Sequence, residues 1–432
     1  MYVKKFIQNS LITIDSELHS MDQIINFFDE INSEKTFKIK KIGVSNLKDW
    51  DFDRNGDLSH VSKKFFKVTG VNHEMEKTGI LLQNGIGTLG LLSCILNETM
   101  YFLIQFKKEP GNTVTAQLSP TLQATISNQK KVHGGSQPEF LEEFLNATKQ
   151  EILISRELPE QGNRYWRKFN KNTILVKNYF DSKNNFKWMT LGQILMFSEK
   201  NDSINSCLRS VLSLIDVNSS FDEETYKKEK VLNIIEKDKE SIQQNSYLRN
   251  SVKEFYEIKS DRIYFKNNKD SYYIDGISVT IEGREVQNWD QPIIFDPFLD
   301  EYSFVSLLMN EKRYYLLKKY TDPGYVDGFC YGPTFVSKSN VNDNSFDLLL
   351  KELGSIGVAK KIRQLRMSEE GGRFYQTSVK HSYYEIVLEA DNFTLDGWSV
   401  FDETEIQVIN NLGYLNMEAR SLLFLSNTIF VK

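Results

Sequence analysis

Glu160-Gln161-Gly162-Asn163-Arg164-Tyr165-Trp166 (EQGNRYW) has a counterpart 209 residues later, Glu369-Glu370-Gly371-Gly372-Arg373-Phe374-Tyr375 (EEGGRFY). Each is an acidic, Gly-containing turn followed by an arginine and two aromatics. Moving outward, Pro110-Gly111 in Phe106–Asn112 (FKKEPGN) matches Pro323-Gly324 in Lys319–Tyr325 (KYTDPGY) at an offset of 213, as Pro120-Thr121 matches Pro333-Thr334. The same offset joins Gly70 to Gly283, and Phe52, Asn55 and Asp57 to Phe265, Asn268 and Asp270. Trp188 faces Trp398 at 210, and Arg209-Ser210 faces Arg420-Ser421 at 211. An ordered series whose offset drifts by only a few residues is the mark of a duplicated unit with small loop insertions.

The pattern predicts the same structure twice. Met21–Ile31 places Ile24, Ile25, Phe27 and Phe28 at helical spacing. Leu58–Val68, Met100–Phe106, Tyr272–Ile281 and Arg313–Lys319 are rich in β-branched and aromatic residues and read as strands. A helix is expected from Pro138 (PEFLEEFLNATK), with a partner at Phe346–Leu353, and closing helices at Ser206–Ile215 and Met417–Leu425. The fold class is α+β: two tandem duplicated domains, 1–220 and 259–432, each a mixed, mostly antiparallel sheet packed with helices. Residues 221–258 are charged and free of Gly and Pro, with Val231, Ile234, Ile235 and Ile242 at helical spacing, and predict a helical connector with one packed face.

Composition narrows the class. The 53 basic and 58 acidic side chains of the 432-residue chain give a net charge of −5, without the basic surplus of a nucleic-acid binder. Three scattered cysteines and five histidines offer no disulfide framework or zinc spacing. The longest apolar run, Ile86–Leu96, is 11 residues, too short for a bilayer, and residues 1–15 lack a signal-peptide core. A cytoplasmic protein with no membrane partner is expected.

No GxGxxG is read as following a strand, so no dinucleotide fingerprint is expected, and no P-loop, HExxH or GxSxG occurs. Arg156–Gly162 (RELPEQG) imitates the core of a Nudix metal box, but Pro159 would break the helix that such a box requires. What remains is a group of polar turns. Gln117–Asn128 leads into Lys131-Val132-His133-Gly134-Gly135, where hydroxyls, amides and glycines suit phosphate or sugar oxygens; a plain solvated turn accounts for the same residues. Lys131 would add compact positive charge, and His133 titrates near neutral pH. Arg164 and Arg373 each read either as a fork on a diphosphate or as a partner of Glu160 or Glu370. Trp50 and Trp289, the latter in a Trp-Asp-Gln-Pro turn, read as packing residues or as stacking faces for a base.

In combination these motifs resemble the NDP-hexose 2,3-dehydratases over about residues 40–425. The resemblance runs through Lys108–Asn112, Gln117–Thr121, Gln123-Ala124-Thr125, Ser127-Asn128, Val132–Gly135, Glu160-Gln161-Gly162 with Arg164, and the helix start Thr190–Gln193. In the second copy it runs through Arg284-Glu285-Val286, Trp289–Pro292, Gly332-Pro333-Thr334 and Glu369–Phe374. Departures are Glu76 in place of a first-copy Trp, Ile126 and Gln129 in place of an Arg and a Tyr, and Phe335–Lys338 in place of the family's continuation. The resemblance implies tandem Nudix-like domains, a homodimer and no cofactor. It also implies a dTDP-4-keto-6-deoxyglucose substrate that loses its C3 proton and C2 hydroxyl to give a 3,4-diketo-2,6-dideoxy sugar. His133, Lys131 and Arg164 are then the expected catalytic groups. Trp50, Thr121, Gln123, Ser127, Asn128, Gly134, Gly135, Asn163, Trp289, Thr334, Glu370, Gly371, Gly372 and Arg373 are the expected substrate contacts. A non-catalytic nucleotide-sugar binder and a Nudix-type pyrophosphohydrolase are the competing readings. If His133 transfers a proton, His133→Ala will lower turnover by roughly 10²-fold; a wild-type rate in a turnover assay would remove it from the mechanism.

Overall fold

The computed structural model describes residues 2–34, 37–73, 76–130, 137–182, 184–216, 221–242, 247–254, 256–259, 261–265, 272–281, 287–339, 344–389 and 393–429. Lys131, His133, Gly134 and Gly135 lie outside them, as do Gly283, Arg284, Glu285, Val286, Asn268 and Asp270.

Each repeat builds a seven-stranded mixed sheet. In the first, the order is Ile152–Pro159, Phe169–Val176, Gly87–Leu96, Thr99–Lys108 and Phe186–Met189, with two short strands alongside. Its one parallel pairing joins Phe169–Val176 to Gly87–Leu96. The second repeat is built the same way, and its parallel pairing joins Ser378–Leu388 to Glu301–Met309. The match extends to single hydroxyls. Thr121 donates to Leu103 O and accepts from Leu92 N–H; Thr334, 213 residues on, donates to Leu316 O and accepts from Val305 N–H.

The two smaller, five-stranded sheets exchange strands. Phe37–Ile42 pairs with Tyr273–Ile281 of the second repeat, while Leu248–Asn250 pairs with Lys67–His73 of the first. This exchange corrects one alignment. Ile42 lies opposite Gly276 and Asn250 opposite Gly70, so the counterpart of Gly70 is Gly276, at 206, and not Gly283. The offset of 213 resumes at Leu81 and Ile294, which bridge to Tyr165 and Phe374 of the two aromatic turns.

Local expectations fare unevenly. The Met21–Ser33 helix starts at a reciprocal Ser20–Gln23 capping box, and Leu191–Phe197 at a Thr190–Gln193 box, where the sequence places helix starts. Arg156–Pro159 ends a strand, as Pro159 demands. Leu58–Val68 is not one strand: Leu58–His60 and Lys67–His73 form a hairpin. The helix expected from Pro138 shrinks to Leu141–Leu145, because Phe140 takes a left-handed φ of 63° while its ring packs against Phe180 and Phe186. Within 221–258 the helix runs only over Phe221–Ser241, with Val231 and Ile235 buried; the Leu248–Asn250 and Tyr256–Lys259 strands follow. Trp-Asp-Gln-Pro lies inside the strand Asn288–Phe295 and is not a turn.

Apolar residues of both repeats meet in one core, with Phe102, Ile104 and Leu118 contributed by the first and Phe304, Tyr383 and Leu415 by the second. Two arginines cross it, both 1% exposed. Arg209 sends Nη2 to Ser368 O (2.9 Å) and Nε to Ser421 Oγ (3.0 Å); its mate Arg420 sends Nη2 to Pro159 O (2.6 Å) and Nε to Ser210 Oγ (3.1 Å). Each Nη1 turns back to a carbonyl just before its own helix, Ile204 or Leu415. A buried guanidinium is tolerated only when its donors are matched this fully. Removing one strands several buried acceptors at once, so Arg420→Met should cost about 3 kcal/mol and lower the denaturant midpoint. An unchanged midpoint would show that the crossing bonds contribute little.

Candidate active site

The loops and turns that opened the sequence reading interlock across the repeats. Gly111 N–H donates to Gly371 O (2.6 Å) and Gln376 N–H to Gly111 O (2.7 Å); reciprocally, Gly324 N–H donates to Gly162 O (2.8 Å). A Cβ on Gly111 would collide with the Gly371 and Phe374 carbonyl oxygens, and one on Gly324 with those of Gly162 and Tyr165, so glycine is required at both close approaches. The turns meet edge to face, with Tyr165 and Phe374 centroids 6.5 Å apart.

Beside this junction opens a cleft of about 520 Å³, its mouth included. The first repeat lines it with Gln83, Gln123, Glu160, Lys168, Asn170 and Cys207, and the second reaches in with Glu370, Arg373 and Phe374. Glu370 Oε1 accepts from Gly372 N–H (3.0 Å) and from Gln123 Nε2 (3.1 Å). Burial, and then the nearby Glu109 carboxylate, push the Glu370 carboxyl up to about 7. Lys168, 4% exposed, donates to Gly85 O (2.6 Å). Burial draws its ammonium down to about 8, against the pull of Glu160 and with a push from Arg373. Glu160 is held by the Asn170 amide and is raised by burial, while the Cys207 thiol is pushed well up by burial.

Arg373 and Arg164 hold equivalent places and have different fates. Arg164 forms an ion pair with Asp296 (2.8 Å) and lies 3.9 Å over the Tyr272 ring. Arg373 lies 4.1 Å over Phe66 and donates to Gly372 O (2.8 Å). Among the described residues it forms no ion pair, and its buried Nε has no acceptor. The repeat offset supplies the reason: Asp296 minus 213 is position 83, and Gln83 is neutral.

Several expected contacts therefore change role. Arg164 is neutralised by Asp296, not by Glu160 or Glu370, and does not line the cleft. Thr121 and Thr334 are buried strand staples with their hydroxyls fully used. Trp50 packs against Phe66 and His60 and donates to Asp290 O (2.9 Å). Trp289 donates to Gln291, which donates to Gly372 O, so this tryptophan braces the turn from behind. Ser127 and Asn128 sit in the short helix Ile126–Gln129, capped by Thr125 at the cleft wall. Asn163 offers its carbonyl to Arg164, and Gly371 packs on Asn112. Gln123, Glu370 and Arg373 do line the cleft, with Gly372 bonded to both Glu370 and Arg373. The sequence reading missed Gln83, Lys168, Asn170 and Cys207. A signal was there: at matched positions the copies differ in chemistry, with Lys168 against Thr377, Asn170 against Val379 and Cys207 against Glu418.

A family model described as NDP-hexose 2,3-dehydratase matches residues 21–215 and 236–425, once per repeat. The chain belongs to the NDP-hexose 2,3-dehydratase family. It is 26% identical over 428 residues to a dTDP-4-dehydro-6-deoxy-alpha-D-glucopyranose 2,3-dehydratase from Saccharopolyspora spinosa, covering 90% of this chain and 87% of that protein. The match to a protein of the same description from Amycolatopsis orientalis is also 26%, over 96% and 92% of the two chains. Among solved structures, an ADP compounds hydrolase aligns with 36% of this chain and 85% of its own at 11% identity and a TM-score of 0.25. As an NDP-hexose 2,3-dehydratase the chain is a carbon–oxygen lyase acting on a nucleotide-linked hexose. Among the described residues no helix is long and apolar enough to cross a membrane.

The Gln83/Asp296 difference predicts which cleft accepts an anion. Gln83→Asp would give Arg373 the carboxylate that Arg164 already has. Nucleoside diphosphate affinity measured by calorimetry should fall by about tenfold or more; an unchanged affinity would show that Arg373 does not meet the diphosphate.

Proposed function

We propose that the first-repeat cleft dehydrates dTDP-4-keto-6-deoxyglucose across C2 and C3, giving a 3,4-diketo-2,6-dideoxy sugar nucleotide for deoxysugar biosynthesis. One observation carries this reading: a cleft lined by both repeats holds an arginine that forms no ion pair among the described residues, beside a carboxyl and an amine tuned toward neutrality. The relatives' names supply the sugar.

The reaction needs little beyond proton donors and acceptors, because the substrate carries its own electron sink. The C4 ketone acidifies the C3 proton, and the resulting enolate expels the C2 hydroxyl beta to the carbonyl. Arg373 would fork onto the diphosphate, with Gln83, Gln123 and Asn170 offering amides to sugar or phosphate oxygens. Glu160 would keep the Lys168 ammonium charged. His133 remains in this reading as a proton carrier, and Lys131 as a donor to developing charge. No cofactor is required by this chemistry. The segment 1–220 forms the body of the site, and 259–432 contributes its closing turn. A homodimer working in the cytoplasm, where Cys94, Cys207 and Cys330 would stay reduced, completes the proposal.

Incubating the protein with dTDP-4-keto-6-deoxyglucose should yield a product lighter by one water with the diphosphate intact, equally with and without a chelator. Release of dTMP only in the presence of magnesium would favour a pyrophosphohydrolase, and binding without mass change a sensor. Arg373→Met should raise KM by about tenfold or more through the lost charged hydrogen bonds, whereas Arg164→Met should leave KM within about threefold. The reverse pattern would move the site to the other repeat.

A further inference from the structure

The cleft is lined mostly by the first repeat, yet one of its two carboxyls, Glu370, is delivered by the second. Gln123 and the Gly372 amide both bind Glu370 Oε1, so the group is oriented, while its other oxygen has no partner among the described residues. Across the same cleft, Lys168 gives one hydrogen to Gly85 O, and an ammonium has three. Resting on the function proposed above, we propose that Glu370 takes the proton from C3 of the hexose and that Lys168 protonates the departing C2 oxygen.

The step balances. The C3–H electron pair becomes the C3–C4 double bond of an enolate as the proton moves to Glu370. Collapse of the enolate makes a C2–C3 double bond and breaks C2–O, and the oxygen leaves as water with a proton from Lys168. Ketonisation then returns the Glu370 proton to C2 and the enol hydroxyl proton to Lys168. The other titratable groups of the cleft are worse suited. Cys207 and Tyr165 are both pushed well up by burial and stay protonated, and Glu160, held by the Asn170 amide, is the neighbouring charge that favours the Lys168 ammonium.

The charged neighbours give this pair its working range. Glu370 is faced by Glu109, Arg373, Lys107 and Glu160; burial and Glu109 outweigh the two cations and hold it at about 7. Lys168 is faced by Glu160 and Arg373, and burial holds it at about 8. A base must be ionised and an acid protonated, so turnover should rise as pH passes about 7 and fall as it passes about 8. The duplicated positions lack both groups: Glu370 corresponds to Gln161 and Lys168 to Thr377, each at 209. One chain thus has one centre for this chemistry, built from both repeats.

The test follows deuterium uptake at C3 of recovered dTDP-4-keto-6-deoxyglucose, together with water loss, in D₂O. Glu370→Gln should lower both exchange and elimination by about 10²-fold or more, with dTDP affinity within about threefold of wild type. Lys168→Met should retain exchange and lose elimination by about 10²-fold. The rising limb of the pH profile should vanish in Glu370→Gln. Glu370→Gln turnover within about threefold of wild type, or wild-type elimination in Lys168→Met, would overturn the assignment. Should Glu370→Gln fail to fold, the wild-type profile decides, since a rate flat from about pH 6 to 9 excludes the pair. Wild-type protein that turns over the ketosugar while the variants behave otherwise than stated sinks this inference alone; wild-type protein that leaves the ketosugar untouched removes the functional reading and this inference with it.

Discussion

Two guanidinium groups shut away from water hold the repeats in register. Arg209 and Arg420 each place one nitrogen on a carbonyl beside their own helix, and the others on a carbonyl and a hydroxyl of the opposite repeat. A charge in an apolar core is stable in one geometry only, the one that satisfies its donors. The acceptors are Ser368 O and Pro159 O, the residues leading into the two aromatic turns. The arginines therefore fix where those turns sit, and the Pro-Gly loops, glycine at each contact, close on them from the other side.

Strand exchange adds a second tie. Because Phe37–Ile42 completes a sheet of the second repeat and Leu248–Asn250 a sheet of the first, neither repeat has all its strands without the other. The same interdigitation brings Glu370 and Arg373 to a cleft whose floor belongs to the first repeat. The duplication yields two related junctions, and single substitutions made them unlike. Asp296 engages Arg164, whereas the neutral Gln83 stands at the matching position and Arg373 forms no ion pair among the described residues; Lys168 and Asn170 have Thr377 and Val379 as counterparts. A symmetric frame thus carries unlike side chains at its two junctions.

Much of the frame was legible in the chain. The helix beginning at Met21 follows from its helical apolar spacing, and Pro159 excludes a metal-box helix from its own ring geometry. The α+β class and the duplication follow from ordered spacing. Less legible were the features set by contacts distant in sequence. Phe140 leaves the helical region to pack on Phe180 and Phe186, and the strand pairing sets Gly276 opposite Pro292 where Gly70 lies opposite Gly79, shifting the true partner of Gly70 by seven residues from the aligned one.

The site divides along the same line. Sequence alone determined that an acidic, arginine-bearing turn occurs twice, since residue type and spacing are carried by the chain itself. Only the tertiary structure decided that Thr121 and Thr334 are staples, that Trp289 braces a turn, that Arg164 is spent on Asp296, and that Lys168 and Glu370 line one cleft. Such outcomes depend on which groups the fold brings within a hydrogen bond of one another, at separations as large as Arg164 to Asp296 (132 apart) and Gln123 to Glu370 (247 apart), and spacing along a chain does not encode that proximity.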